Sequence, residues 1–385
     1  MRKIAKWFIA ALIAASLFLS CSNMAGGKGT TQNKGTTQNK GTTQNNGTNQ
    51  NNGTTQQRDT PTQQGTNSEY PMVSVKGGTI TGTDTTTKQE PTHNQTFLKG
   101  RQVKLDDFSI GKYEVTYELW YKVMKEAEKR GYVFKNKGRA GTLASLDKND
   151  KNKYVANSRV GDEPTEETKK HPVTQISWCD AIVWCNAYSE LAGKKPVYCL
   201  DDQPVKDSTK TDDCLKAEVK RSNGGYRLPT STEWEWAARG GNPKAAAWGD
   251  GNDFPGTKDS TKLPEYACYG DSENGSTKPV GSLKPNALGL YDMAGNVAEC
   301  CIDVYAALIR VDAGVLEVNP DHPKSAVPDK KDPSKFDEFK RSSGGKCTRG
   351  GSWKKPEKEC RNGSRGLTFA KYANDAVGFR LVLSK

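Results

Sequence analysis

An irregular α+β domain, poor in regular secondary structure, is the fold class predicted for residues 70–385. Three observations carry that expectation. A C-terminal frame reads Arg349-Gly350-Gly351-Ser352-Trp353 and closes with Gly378-Phe379-Arg380-Leu381-Val382. Upstream, Gly225-Tyr226-Arg227-Leu228-Pro229-Thr230 runs into Glu233-Trp234-Glu235-Trp236-Ala237-Ala238-Arg239-Gly240-Gly241. Between them lies Met293-Ala294-Gly295-Asn296-Val297-Ala298-Glu299. Lys112-Tyr113-Glu114-Val115-Thr116 and His171-Pro172-Val173 through Trp178 precede these, so ordered blocks extend from about Tyr70 to Lys385.

Together these blocks resemble the formylglycine-generating enzyme (sulfatase-modifying factor) domain. That family folds as a variant of the C-type lectin fold, and the resemblance is what implies the α+β class. One fold hosts many functions, so activity has to be argued from the site residues.

Residues 1–21 read as a leader. Met1-Arg2-Lys3 and Lys6 precede an apolar run, Trp7 to Leu19, that ends at Ser20-Cys21. A cationic start, a short apolar core and a small residue before the break make an export signal; the run is too short to span a bilayer. A cysteine directly after the small residue resembles a bacterial lipoprotein site, with Cys21 lipidated, in a relaxed form because Phe18 replaces the usual Leu. Ordinary cleavage nearby is the alternative. Acyl chains anchor firmly, at about 0.8 kcal/mol per buried CH2. The expected location is therefore that of an exported outer-membrane or cell-surface lipoprotein, meeting the membrane through its lipid anchor.

Residues 22–69 form the expected tether. Lys-Gly-Thr-Thr-Gln-Asn starts at Lys28, Lys34 and Lys40, with degenerate copies from Asn46 and Asn52. Almost no apolar side chain is present to offset the ordering entropy. As a random coil, the stretch from Cys21 to Tyr70 has a root-mean-square span of roughly 40 Å.

The net charge of +12 is spread among interspersed acidic and basic residues. No basic run interleaves with aromatics as a nucleic-acid groove requires, so no nucleic-acid partner is expected. Ten cysteines less Cys21 leave nine in the head, so one at least stays unpaired in a monomer. Cys179 and Cys185 are six residues apart in a predicted helix and face different sides, about 600° of advance. Cys199 and Cys214 flank a turn-rich insertion that they could close; Cys300-Cys301, Cys347 and Cys360 are among the rest. Buried small hydrophobes are the reading preferred for Cys185 and Cys301. With three histidines (His93, His171, His322) and no Cys-x-x-Cys, a metal cluster is not expected.

The resemblance implies an oxidase in which two cysteines after the Gly-Gly-Ser-aromatic block hold copper. Counting from Trp353, those positions are Lys355 and Cys360. Lys355 cannot be the thiolate that Cu(I) prefers. At the family's disulfide positions stand Ala238, Asn362 and Leu381, with Cys185 alone retained. No copper and no enzyme activity are expected; an exported oxidoreductase using Cys360 is the alternative. The family's iron-dependent sulfoxide synthases need a His triad, and no His-x-x-x-His pair occurs.

The resemblance also implies structural calcium, with side-chain oxygens from Asp292 and Glu299 and carbonyls from Gly295 and Val297. Calcium takes six to eight hard oxygens, and a tight Gly turn can supply carbonyls. A metal-free turn capped by Asp292 is the alternative. A second family site has Cys268 where Asn is expected.

Most residues from Asn362 to Ala376 are types reachable from an Asn codon by adenine substitution, Lys371 excepted. On this fold, such a segment resembles the variable proteins of diversity-generating retroelements, spirochaete variable surface lipoproteins being nearest in kind. Asn362, Ser364, Leu367, Thr368, Phe369 and Tyr372 are the expected ligand-binding residues. Rigid neighbours let a loop vary, and Trp353, Arg365 and Phe379 are the expected anchors. The expected function is a surface receptor or adhesin for a protein or glycan; a non-variable envelope accessory protein is a further alternative.

Overall fold

The two ends of the domain meet in one sheet. Strand Met72–Val75 and the C-terminal strand Val382–Ser384 both pair antiparallel with Phe108–Gly111. The computed structural model describes residues 70–83, 96–141, 144–146, 154–156, 158–244, 248, 253–270, 276–305, 314–321 and 344–385. Cys21 and the repeat tether lie outside them.

Helix α1 (Tyr117–Glu128) starts where Thr116 Oγ1 accepts the Leu119 N–H at 3.3 Å. Its buried residues Trp120, Val123, Met124 and Ala127 recur at helical spacing and form one stripe. Helix α2 (Trp178–Leu191) is apolar nearly all round and is buried nearly throughout, as a central helix must be. Ser177 and Asp180 close its N-terminus with a capping box. Trp120 of α1 stacks on Trp184 of α2 at 5.9 Å, and Phe379 meets both rings edge-on. After the short helix α3 (Thr211–Lys216), helix α4 (Ser231–Ala238) is capped by Thr230 and Glu233 and carries the two tryptophans of its block into a second apolar cluster.

Small sheets and long irregular connections complete the α+β fold, as the sequence blocks predicted. The largest sheet orders Arg365–Phe369, Gly345–Arg349, Ala298–Val304 and Val377–Gly378, with Arg365–Phe369 at its edge. Three buried arginines of the domain are paired with glutamates around it. Arg380 meets Glu299 at 2.6 Å, Arg349 meets Glu235 at 2.9 Å, and Arg227 meets Glu233 at 2.7 Å.

Candidate ligand-binding face

Chain direction under the edge strand is set by Gly350 and Gly351, which hold φ of 88° and 71°. A Cβ on Gly351 would lie 2.9 Å from the Glu359 carbonyl oxygen and 3.0 Å from Cys360 Sγ, so glycine is required. Arg349, just before them, is buried. Its Nε donates to Ser231 Oγ at 2.8 Å, and its Nη1 donates to the carbonyls of Asn362 (3.2 Å) and Ser364 (3.1 Å). The segment entering the edge strand is therefore held by its backbone. Trp353 is buried, its Nε1 donating to the Asp375 carbonyl at 3.3 Å, and so are Arg365 and Phe379. The Arg365 guanidinium lies 5.5 Å over the Tyr305 ring.

The six residues expected on one face do not share it. Leu367, Phe369 and Tyr372 are 49%, 43% and 58% exposed. Asn362, Ser364 and Thr368 are buried, which corrects the expectation that they offer hydrogen bonds to a ligand. The causes are local. Asn362 is drawn inward with its N–H on the Asp253 carbonyl at 2.8 Å, and Ser364 Oγ donates to the Lys358 carbonyl at 2.6 Å. Thr368 lies between two exposed strand neighbours, and successive strand residues point to opposite faces. That alternation was present in the sequence Arg365-Gly366-Leu367-Thr368-Phe369. The exposed set is compact: the Phe369 and Tyr372 rings meet edge-on at 6.0 Å, and Lys371, not among the expected ligand-binding residues, lies 5.1 Å over Tyr372. Also missed was Lys346, paired with Thr368 and buried 3.8 Å over the Trp178 ring, where burial lowers its pKa to about 8.

The two positions expected for the family's catalytic cysteines diverge. Lys355 is exposed and reaches Glu359 at 3.3 Å. Cys360 is buried among Phe254, Leu263, Ala267 and Ala294, and burial pushes its thiol well up, away from the reactive thiolate. Cys347 lies against Cys301, and the Cys214 thiol donates to the Asp207 carbonyl at 3.8 Å. All nine described cysteines are buried free thiols, Cys185 and Cys301 included.

The calcium set does not fit as expected. Both oxygens of Glu299 are taken, by Arg380 Nε and Nη2 at 2.6 Å each and by Trp234 Nε1 at 2.8 Å. Asp292 Oδ2 accepts the Gly281 N–H at 2.7 Å, with the residue at φ 57°. Gly295 holds φ 75°, and a Cβ there would meet the Cys268 carbonyl oxygen at 2.0 Å, so glycine is required. The Val297 N–H donates to Glu114 Oε1 at 3.0 Å. Close approach of Cys268 and a salt bridge thus account for the Gly turn and for Glu299, and Asp292 ties the turn to the loop at Gly281. Among the described residues, no group of three or more His, Cys, Asp or Glu is placed to hold a metal ion.

Comparison with known proteins identifies the family and the fold. Residues 56–385 match the sulfatase-modifying factor enzyme 1-like domain. The chaperone protein LppX of Paenibacillus barcinonensis is 35% identical over 217 residues, which cover 52% of this chain and 64% of that protein. The formylglycine-generating enzyme of Thermomonospora curvata is 30% identical over 161 residues, 39% of this chain and 37% of that one. The chain thus spans less than two thirds of the length of either curated relative. Among solved structures, CarF superposes with a TM-score of 0.57 at 26% identity, covering 82% of this chain and 99% of that one. Treponema denticola variable protein 1 superposes with a TM-score of 0.54 at 27% identity, covering 80% and 95%. The ordered blocks, the irregular α+β fold and the match over residues 56–385 lead to one conclusion: the chain belongs to the sulfatase-modifying factor enzyme 1-like domain family.

Proposed function

We propose that the protein is a non-enzymatic surface binding protein whose ligand docks on Leu367, Phe369 and Tyr372. The observation that carries this reading is the concentration of three large, exposed apolar side chains on one strand and the turn after it. Rigid aromatic side chains give large contact area at low entropic cost, which is why binding loops favour them. The likeness to a Treponema variable protein supports a face of this kind. The burial of Cys360 and the lysine at position 355 support a role without copper oxidation. On this reading Cys21 carries the lipid that anchors the head, the segment from Asn362 to Ala376 is open to variation, and the ligand is a protein or glycan outside the cell.

The test uses the full-length chain carrying Phe369→Ser and Tyr372→Ser together. Screened against host matrix proteins and a glycan array, the parent should bind at least one ligand that the variant loses, with an unchanged melting temperature. Equal binding by both would move the site elsewhere. Conversion of a sulfatase-type cysteine peptide to formylglycine would restore the oxidase reading. Cys21→Ala should shift the protein from membranes to the soluble fraction; unchanged membrane association would remove the anchor.

A further inference from the structure

The exposed residues lie on a sheet edge, and the backbone there has its own bonding capacity. Arg365–Phe369 pairs antiparallel with Gly345–Arg349, with Phe369 opposite Gly345, Thr368 opposite Lys346 and Leu367 opposite Cys347. One step beyond this ladder, in the same register, the Ala370 N–H donates to the Gly344 carbonyl at 2.8 Å. In an antiparallel pair, bonded and non-bonded residue pairs alternate. Ala370–Gly344 is bonded, so Thr368–Lys346 and Gly366–Thr348 are bonded too. Leu367–Cys347 and Phe369–Gly345 are not. The other side of the middle strand agrees: Gly345, which does not bond the edge strand, accepts instead from the Tyr305 N–H at 3.1 Å.

It follows that the N–H and C=O of Leu367 and the N–H of Phe369 point out of the sheet. Among the described residues they meet no hydrogen-bond partner. The Phe369 carbonyl is closed off by the Tyr372 N–H at 3.2 Å, which ends the open edge at the turn. The side chains beside those outward groups are Leu367 and Phe369, two residues apart and half exposed. Natural edge strands are ordinarily blunted by charge, proline or a bulge. This one carries none of these between Gly366 and Phe369.

We infer that the edge strand Arg365–Phe369 binds its ligand by strand addition: an extended peptide segment of a partner protein pairs with the outward backbone of Leu367 and Phe369 and sets apolar side chains, at alternate positions, against theirs. The inference rests on the binding face proposed above and commits it to a peptide. In this mode main-chain bonds supply affinity and alternate side chains supply specificity. Edge-to-edge pairing of two copies is the competing occupant. A five-residue strand is only about 17 Å long, and self-pairing along it falls short of the roughly 800 Å² per partner of a stable interface. A slender extended ligand needs no such area outside the strand.

The test selects binders of the full-length protein from a displayed library of linear ten-residue peptides. Selected sequences should carry apolar residues at i and i+2. A synthetic selected peptide should lose about tenfold or more in affinity when every second amide is N-methylated, and little when the intervening amides are. Leu367→Pro removes an outward N–H that the ladder does not use, a placement edge strands tolerate. It should cost the peptide about tenfold or more with no change in melting temperature. Phe369→Ser with Tyr372→Ser removes apolar contact under any docking mode. If that variant loses the peptide while Leu367→Pro keeps it and N-methylation shows no alternation, strand addition falls and the face stands. Should both variants bind like the parent, both readings fall. Should Leu367→Pro unfold, the N-methyl series decides alone. Failure to select any peptide, or a concentration-dependent dimer abolished by Leu367→Pro, would overturn the peptide as occupant.

Discussion

Two neighbouring regions of this domain treat their side chains in opposite ways. In the interior frame, Arg227, Arg349 and Arg380 are fully buried and each is matched to a glutamate. A few residues away, Leu367, Phe369 and Tyr372 stand in solvent with large apolar surfaces. The usual distribution is reversed, and the reversal separates two jobs. Buried ion pairs demand one geometry because each charge must meet its partner, and a lone buried charge is severely destabilising. Exposed apolar groups impose no geometry on the fold and are free to meet something else. Arg349 links the regions by gripping the carbonyls of Asn362 and Ser364, which every residue type possesses. Those two contacts do not depend on the side chains of Asn362 and Ser364.

The contrast can be broken first at Arg380. Arg380→Met should cost about 3–5 kcal/mol in urea denaturation, because Glu299 stays buried without its cation. Adding Glu299→Gln should recover part of that loss. A single-variant cost under about 1 kcal/mol would mean that the pair is hydrated and the frame less rigid than described.

Acid should next distinguish the regions. His171 is buried, with Nδ1 2.8 Å from Thr277 Oγ1, and burial lowers its pKa from 6.5 to about 4. Between those values the unfolded chain binds the proton and the native state does not, so stability falls as pH falls. The loss should reach about 3 kcal/mol between pH 7 and pH 4, at 1.36 kcal/mol per pKa unit. His171→Gln should flatten this dependence, whereas Phe369→Ser should leave it unchanged. An equally steep profile in the His171 variant would assign the acid sensitivity to other groups.

The smallest expected differences lie within the C-terminal segment itself. Ser364→Ala should cost about 1 kcal/mol by removing the hydrogen bond to the Lys358 carbonyl. Leu367→Ser and Phe369→Ser should stay within about 0.5 kcal/mol, as exposed substitutions do. If all three cost the same, the division into interior and displayed residues is wrong.

Several of these features were legible in advance. The helix containing Cys179 and Cys185 and the anchoring of Trp353 and Phe379 follow local rules or the order of blocks. The reading faltered where neighbours in space decide. Polar Asn362, Ser364 and Thr368 look available in sequence, yet each is drawn inward. Glu299 reads as a metal ligand until Arg380, 81 residues away, is found on both its oxygens.

By itself, then, the sequence determined the family, the irregular α+β class, the glycines of the frame and the lysine at position 355. These depend on residue identity and on order along the chain. Only the tertiary structure decided which members of the C-terminal segment face solvent, which carboxylate is already paired and which backbone groups remain open at the sheet edge. Those outcomes depend on partners far away in sequence, because a side chain is buried or exposed, and a charge met or unmet, only by what the rest of the chain brings against it.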